Sequence, residues 1–337
     1  MKPGPDTAKV EQRKVSTDEA GLRLDRWFRR HYPQLGYGRL AKLIRTGQVR
    51  VDGGRAKPDM RLESGQRIRV PPLRAGDRQE IKPSGPVSEA DAAFVRGLVL
   101  YKDDEVIALN KPPGLAVQGG TRTRRHIDAM LDALKFDKPE RPRLVHRLDR
   151  DTSGVLLVAR SAASAARLAQ EFRGRAVRKI YWALCVGVPK LARGRIDLPL
   201  EKSADGREGR EAVRAAAGEK GKRAVTYYAT LGTIGTKASW LALMPVTGRT
   251  HQLRVHCAAM EHSIVGDRKY GGPAGELTFG PLEPGKLCLH ARSLELARDG
   301  RQPLHIAAPL PDHMAEAWTF FEFDCASGAD PFAELEA

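Results

Sequence analysis

The sequence predicts an α+β protein: a mixed, mainly antiparallel sheet with flanking helices, preceded by a small, strongly basic α/β unit. Three observations point there. Many strand-like segments are interspersed with few helical ones, the pattern of a sheet carrying helices against it. A Pro/Gly-rich, charged stretch over residues 72–92 has the composition of a linker. The charge is also uneven: the chain carries 57 Lys and Arg against 41 Asp and Glu, and residues 1–80 alone hold nineteen basic against ten acidic side chains. A basic excess concentrated in this way draws a polyanion, because neutralising phosphates releases condensed counterions.

Taken in order, residues 1–19 are polar, without an apolar period, and are expected to form a flexible basic tail. Leu24, Trp27 and Phe28 recur at helical spacing. After the break at Tyr32-Pro33 a second helical period follows in Leu40, Leu43 and Ile44, closed by Gly47. Val49 and Val51 alternate with polar neighbours, Asp52-Gly53-Gly54 is a turn, and Gln66 to Val70 alternates again. Residues 20–71 therefore make the first domain, and residues 93–325 the second, with a terminal tail at 326–337. In the second, Val99 to Leu109 reads as a hairpin and Ile127 to Phe136 as an amphipathic helix. Val155 to Ala159 reads as a buried strand and Ala162 to Phe172 as a helix. Strands are expected near 179–186, 223–231, 240–246 and 286–296, and residues 203–221 as a mobile loop.

Several classes fall away. No run approaches the roughly 18 apolar residues of a membrane helix, and the amino terminus lacks the apolar stretch of a secretory signal. Four scattered cysteines, at 185, 257, 288 and 325, make no disulfide framework and fit a reducing cytoplasm. His251, His256, Cys257 and His262 match no common zinc spacing, so no metal is expected. Gly36 to Ala41 imitates a dinucleotide fingerprint but follows no strand, so no nucleotide cofactor is expected either.

The most informative stretch is His146-Arg147-Leu148-Asp149-Arg150-Asp151-Thr152-Ser153-Gly154, which runs directly into the apolar strand. It places a carboxylate among basic and hydroxyl groups at the mouth of a buried element, the setting of a catalytic acid and equally of a salt-bridged turn. His-Arg-Leu-Asp-x-x-Thr-Ser-Gly resembles the active-site motif of the RluA family of pseudouridine synthases, and the other family signatures appear in order. Leu109 to Leu115 is similar to the preceding Asn-Lys-Pro-x-Gly turn, and Lys179 to Leu184 to the tyrosine-bearing strand. Gly221 to Tyr228, Gly248 to His256 and Gly266 to Gly271 resemble the later motifs. The resemblance spans residues 97–322 and looks most like the RluC type, with the RluD type open. Residues 20–71 resemble an S4 RNA-binding domain through Arg23 to Arg26 and Ile44 to Val49.

The resemblance implies the pseudouridine synthase fold and an isomerase with no cofactor, acting as a monomer on structured RNA, most of all large-subunit (23S) ribosomal RNA. It makes Asp149, Tyr181 and Arg254 the catalytic set, with Arg254 the partner that holds Asp149. It implies that Arg147 fills the gap left by a flipped nucleotide, that Arg150 also meets RNA, and that Arg39, Lys42, Arg45 and Arg50 face phosphates. His146, Thr152, Ser153, Gly154, Lys111, Thr250 and His251 would support the active-site loop. Two other readings fit the charge: a non-catalytic RNA-binding or ribosome-assembly factor, and a metal-dependent nuclease.

Overall fold

The computed structural model describes residues 10–73, 87–119, 123, 125–174, 176–203, 212–216, 221–275, 280–298, 300, 302–325 and 330–333. The chain divides into two compact units, residues 1–85 and 86–337.

In the first unit β1 (Glu11–Lys14) precedes α1 (Leu24–His31) and α2 (Tyr37–Arg45); β2 (Arg50–Val51), β3 (Gly54–Arg55) and β4 (Arg67–Val70) follow. The strands pair in the order β1-β4-β2-β3. Leu24, Trp27 and Phe28 on α1 and Leu40, Leu43 and Ile44 on α2 pack with Val49, Val51, Ile68 and Val70 into one core, as their helical period predicts.

The expected tail is shorter than residues 1–19. Glu11 to Lys14 pair in antiparallel register with Val70 to Arg67, and residues 1–9 lie outside the described set. This strand escaped notice because polar contacts hold it where apolar alternation would normally do so. Tyr32 Oη donates to Glu11 Oε2 at 2.9 Å. Beyond the strand, buried Glu19 accepts from Trp27 Nε1 at 3.0 Å and from the Ser16 amide at 3.2 Å, and pairs with His31.

The second unit opens with α3 (Glu89–Gly97), whose first turn is capped by Ser88 Oγ accepting from the Asp91 amide. The helix thus begins inside the stretch expected as linker, of which residues 74–86 lie outside the described set. The hairpin β5 (Val99–Lys102) and β6 (Val106–Lys111), the short α4 (Ile127–Met130), β7 (Arg143–Leu144), β8 (Ser153–Ala159) and α5 (Ala162–Gly174) come next. They are followed by β9 (Val177–Val186), β10 (Arg193–Asp197), β11 (Leu200–Ser203), β12 (Ala212–Ala215), β13 (Val225–Ile234) and β14 (Ala238–Pro245). The unit closes with α6 (Gln252–Ala259), β15 (Leu289–Leu296), β16 (Leu304–Ala307) and α7 (Asp312–Phe320).

The large sheet runs β10-β13-β14-β9-β15-β8-β6-β5, with β16 beside β15 and β7 beside β8. Its β8–β15 pair is parallel and the remaining pairings are antiparallel, so the sheet is mixed and mainly antiparallel as expected. Two expected loops are partly ordered. β12 pairs with β11 inside residues 203–221, while residues 204–211 and 217–220 lie outside the described set. Phe332, within the expected terminal tail, is buried beside Trp240 and Trp318. No helix among the described residues is long and apolar enough to cross a membrane.

One junction in this sheet positions the site. β8 meets β15 only where Ser153 and Gly154 face His290 and Ala291, and Ala291 in turn faces Tyr181 on β9. Gly154 has φ +106°, and a Cβ there would stand 2.2 Å from the Ala291 carbonyl oxygen. Only glycine permits both that backbone conformation and that approach. The loop leading into β8 is thereby brought beside the Tyr181 side chain, while Trp182 points to the other face and packs edge-on to Trp240 at 4.7 Å.

Candidate active site

The Asp149 loop is tied down at several points by buried polar groups. His146 Nε2 accepts the Leu157 amide at 2.8 Å, and its ring stacks on Phe172 of α5 with centroids 4.4 Å apart. β7 pairs with the preceding rungs of β8, so the imidazole extends that ladder where a backbone carbonyl would otherwise serve. Burial, and then the charge of Lys179, pushes His146 down to about 3, which keeps it neutral.

Lys111, the last residue of β6, is fully buried. Its Nζ donates to the carbonyls of Pro112 (2.8 Å), Leu115 (2.9 Å) and Arg150 (2.9 Å). Three donors meet three acceptors, one of them next to Asp149, so this ammonium fastens the loop from beneath. Burial pushes Lys111 down to about 7 against the opposing pull of Asp151 and Asp149. Thr152 and Ser153 are buried, and Ser153 Oγ lies 2.9 Å from His290 Nδ1.

A cavity of about 280 Å³ opens above this loop, lined by Asp149, Tyr181 and Arg254, with His146, Arg147, Lys179, Thr250 and His251 among its other walls. Burial, and then the Asp149 charge, raises the Tyr181 phenol well above its ordinary value, so it stays protonated. Of the two arginines flanking Asp149, Arg147 is exposed and lines the cavity. Arg150 is also exposed, and its Nε donates to the Gly114 carbonyl at 2.9 Å.

The expected direct pairing of Arg254 with Asp149 is not formed. Arg254, on α6, holds Asp267 with a two-pronged grip, Nε to Oδ2 at 2.7 Å and Nη2 to Oδ1 at 2.6 Å. Among the described residues no hydrogen bond joins it to Asp149. The reason is burial: the Asp267 side chain is 1% exposed and that of Asp149 18%, and a carboxylate shut away from water without a cation costs far more than one at a cavity wall. The guanidinium nevertheless acts on both. Burial works against its charge, while Asp267 first and Asp149 after it hold its pKa above the ordinary value.

His251 stands close to Asp149, its Nε2 3.8 Å from Oδ2. His251 has φ +53°, a left-handed backbone uncommon for a side-chain-bearing residue, and its Nδ1 is 2.6 Å from Tyr270 Oη. Gln252 clamps the turn before it, accepting from Thr247 Oγ1 (2.7 Å) and the Arg249 amide (3.1 Å) while donating to the Val225 carbonyl (2.9 Å). Asp267, Tyr270 and Gln252 were not singled out from the sequence, although the Gly266 to Gly271 and Gly248 to His256 motifs contain them. The other histidines near this turn have separate partners: His256 meets Thr226 Oγ1 and the Leu198 carbonyl, and His262 the Val186 carbonyl.

In the first unit Lys42, Arg45 and Arg50 are exposed and Arg39 is half-buried. Arg50 also braces its own turns, donating to the carbonyls of Gly47 (3.2 Å) and Gly53 (3.0 Å).

Comparison with known proteins gives a consistent result. Residues 105–259 match the family described as RNA pseudouridylate synthase. The chain is 34% identical over 312 residues to ribosomal large subunit pseudouridine synthase C of Escherichia coli O157:H7, covering 91% of this chain and 95% of that one. It is 40% identical over 299 residues to the mitochondrial RNA pseudouridine synthase 4 of Arabidopsis thaliana, covering 77% of this chain and 62% of the plant protein. The solved structure of human RNA pseudouridylate synthase domain containing 4 superimposes with a TM-score of 0.57 at 28% identity, over 69% of this chain and 97% of that one. With a cavity walled by Asp149, Tyr181 and Arg254 on a fold shared with these proteins, the chain belongs to the RNA pseudouridylate synthase family, of the RluA/RluC kind, and is an isomerase.

Proposed function

We propose that this enzyme converts specific uridines of large-subunit (23S) ribosomal RNA to pseudouridine, acting as a cytoplasmic monomer with Asp149 as its essential carboxylate. The observation that carries the reading is the shared cavity of Asp149, Tyr181 and Arg254. In the reaction the N1–C1′ bond breaks, the uracil turns, and a C5–C1′ bond forms; the C5 proton leaves and N1 gains one, so the atoms balance without a cofactor. Asp149 acts as nucleophile or base on the sugar or base carbon, and the Arg254 cation, itself held by Asp267, lines the same cavity.

A uridine stacked in RNA cannot reach a carboxylate inside a cavity, so the base is extruded at a cost of a few kcal/mol. Tyr181 offers a flat face to the extruded base, and stacking on an aromatic returns about 1–3 kcal/mol. Arg147 occupies the vacated place in the RNA. The first unit, through Lys42, Arg45, Arg50 and Arg39, binds phosphates in the manner of an S4 domain. The ribosomal substrate is supported by the relatives named as large-subunit synthases, which match this chain nearly end to end.

Carbodiimide mapping of pseudouridines in RNA from a deletion strain tests the proposal. Sites missing in the deletion return with the wild-type gene and stay missing with Asp149→Asn, which still binds the RNA. Restoration of the sites by Asp149→Asn would remove Asp149 from the mechanism.

A further inference from the structure

Tyr270 Oη lies between two partners: the Val213 amide donates to it at 3.3 Å, and His251 Nδ1 lies 2.6 Å away. An amide nitrogen can only donate, so the phenol oxygen accepts from Val213, and its own proton is free to be donated to His251 Nδ1. With the phenol as donor, Nδ1 is the accepting nitrogen and the imidazole proton sits on Nε2, the nitrogen 3.8 Å from Asp149 Oδ2. The donor chain begins on β12, within residues 203–221, which were expected to be a mobile loop.

Resting on the reading of Asp149 as the essential carboxylate, we propose that His251 is a positioning residue: the Val213–Tyr270 chain fixes its tautomer, and its Nε2–H holds Asp149 Oδ2 so that Oδ1 faces the substrate. The 3.8 Å separation is too long for a hydrogen bond, and it closes when substrate fills the cavity, as catalytic contacts that are loose in free enzymes commonly do. His251 lines the cavity from a left-handed backbone position. Strain at one residue is kept where the surrounding structure enforces it, and here Gln252 and Tyr270 are the enforcing contacts.

The ionisable groups facing His251 are Asp149 from the loop before β8, Arg254 on α6, and Asp267, Lys269 and Tyr270 from the turn that follows. Burial lowers the His251 pKa, so the neutral ring with its single proton is the working form. Protonation would put a second proton on Nδ1 and reverse the Tyr270–His251 bond, making the phenol oxygen the acceptor.

The test is single-turnover tritium release from a large-subunit ribosomal RNA transcript labelled at uridine C5, with binding of the same transcript measured in parallel. His251→Leu and Tyr270→Phe each lower the rate, by about a hundredfold for the loss of one preorganised donor, with transcript affinity unchanged. The double variant is no slower than His251→Leu alone. His251→Gln, which keeps an N–H near the Nε2 position, recovers most of the rate and loses the acid limb that His251 protonation gives the wild type. A wild-type rate in His251→Leu, a loss matched by weaker RNA binding, or multiplying effects in the double variant would overturn the role of His251. Full tritium release by Asp149→Asn would instead overturn the reading of the site on which it rests.

Discussion

Asp267→Asn tests the central pairing of the site. Asp267 accepts four hydrogen bonds: two from Arg254, at 2.6 and 2.7 Å, and one each from the amides of Lys269 (3.0 Å) and Tyr270 (3.1 Å). Asparagine keeps one oxygen for the two amides but turns an NH₂ toward the guanidinium, donor against donor, and leaves a cation with a 10% exposed side chain without its counter-charge. Removing one partner of a buried pair costs about 3–5 kcal/mol. For a unit of this size each kcal/mol lowers the melting temperature by about 2–4 °C, so the expected drop is about 6–20 °C. The freed guanidinium is then drawn to Asp149, the next carboxylate in its field, and a locked Asp149 turns over more slowly. Calorimetry of the full chain and tritium release from C5-labelled transcript read the two effects. A variant that melts within 2 °C of wild type and releases tritium at the wild-type rate would refute the reasoning, because the pair would then neither support the fold nor orient Arg254.

Two further outcomes follow from particular contacts. Gly154→Ala places a methyl carbon 2.2 Å from the Ala291 carbonyl oxygen at φ +106°; the backbone strain alone costs about 1–3 kcal/mol, and the clash parts β8 from β15. A large fall in soluble yield and melting temperature is expected, and a variant melting like wild type would show that the two strands need not approach so closely. Glu19 is held at about 2: burial tends to raise it, and hydrogen bonds from His31, Trp27 and Ser16 outweigh that tendency. Its folded pKa lies below the unfolded value, so the stability it contributes is present above about pH 4.5 and is lost as pH falls toward 2, about 3 kcal/mol in all. Hydrogen exchange over residues 11–32 should accelerate through that window in wild type and show no such step in Glu19→Gln; identical profiles would discount the carboxylate.

Much of this molecule was written locally. The helical spacing of Leu24, Trp27 and Phe28 and of Leu40, Leu43 and Ile44 is realised in α1 and α2, and the apolar run after Gly154 is β8, buried along its length. A repeating apolar face is a short-range property, since burying one side of a helix or strand needs residues at fixed spacing in the same segment. Where that regularity is missing the element stayed hidden. α6 buries Gln252 through Cys257 without interruption, so it has no polar face to give it a period, and β1 is held by polar contacts from His31 and Tyr32.

The inventory was readable before folding: the α+β class, the order of the motifs, and the residue types placed around Asp149. Which of them touch was settled by the folded sheet. Arg254 grips Asp267 and leaves Asp149 to face His251, Lys111 reaches up to the Arg150 carbonyl, and a strand near residue 213 meets Tyr270. The physical reason is that a charge chooses its partner by distance and burial together, and both are set by strands far apart in the chain; sequence records the donor and the acceptor, but the depth at which each comes to lie exists only once the sheet has formed.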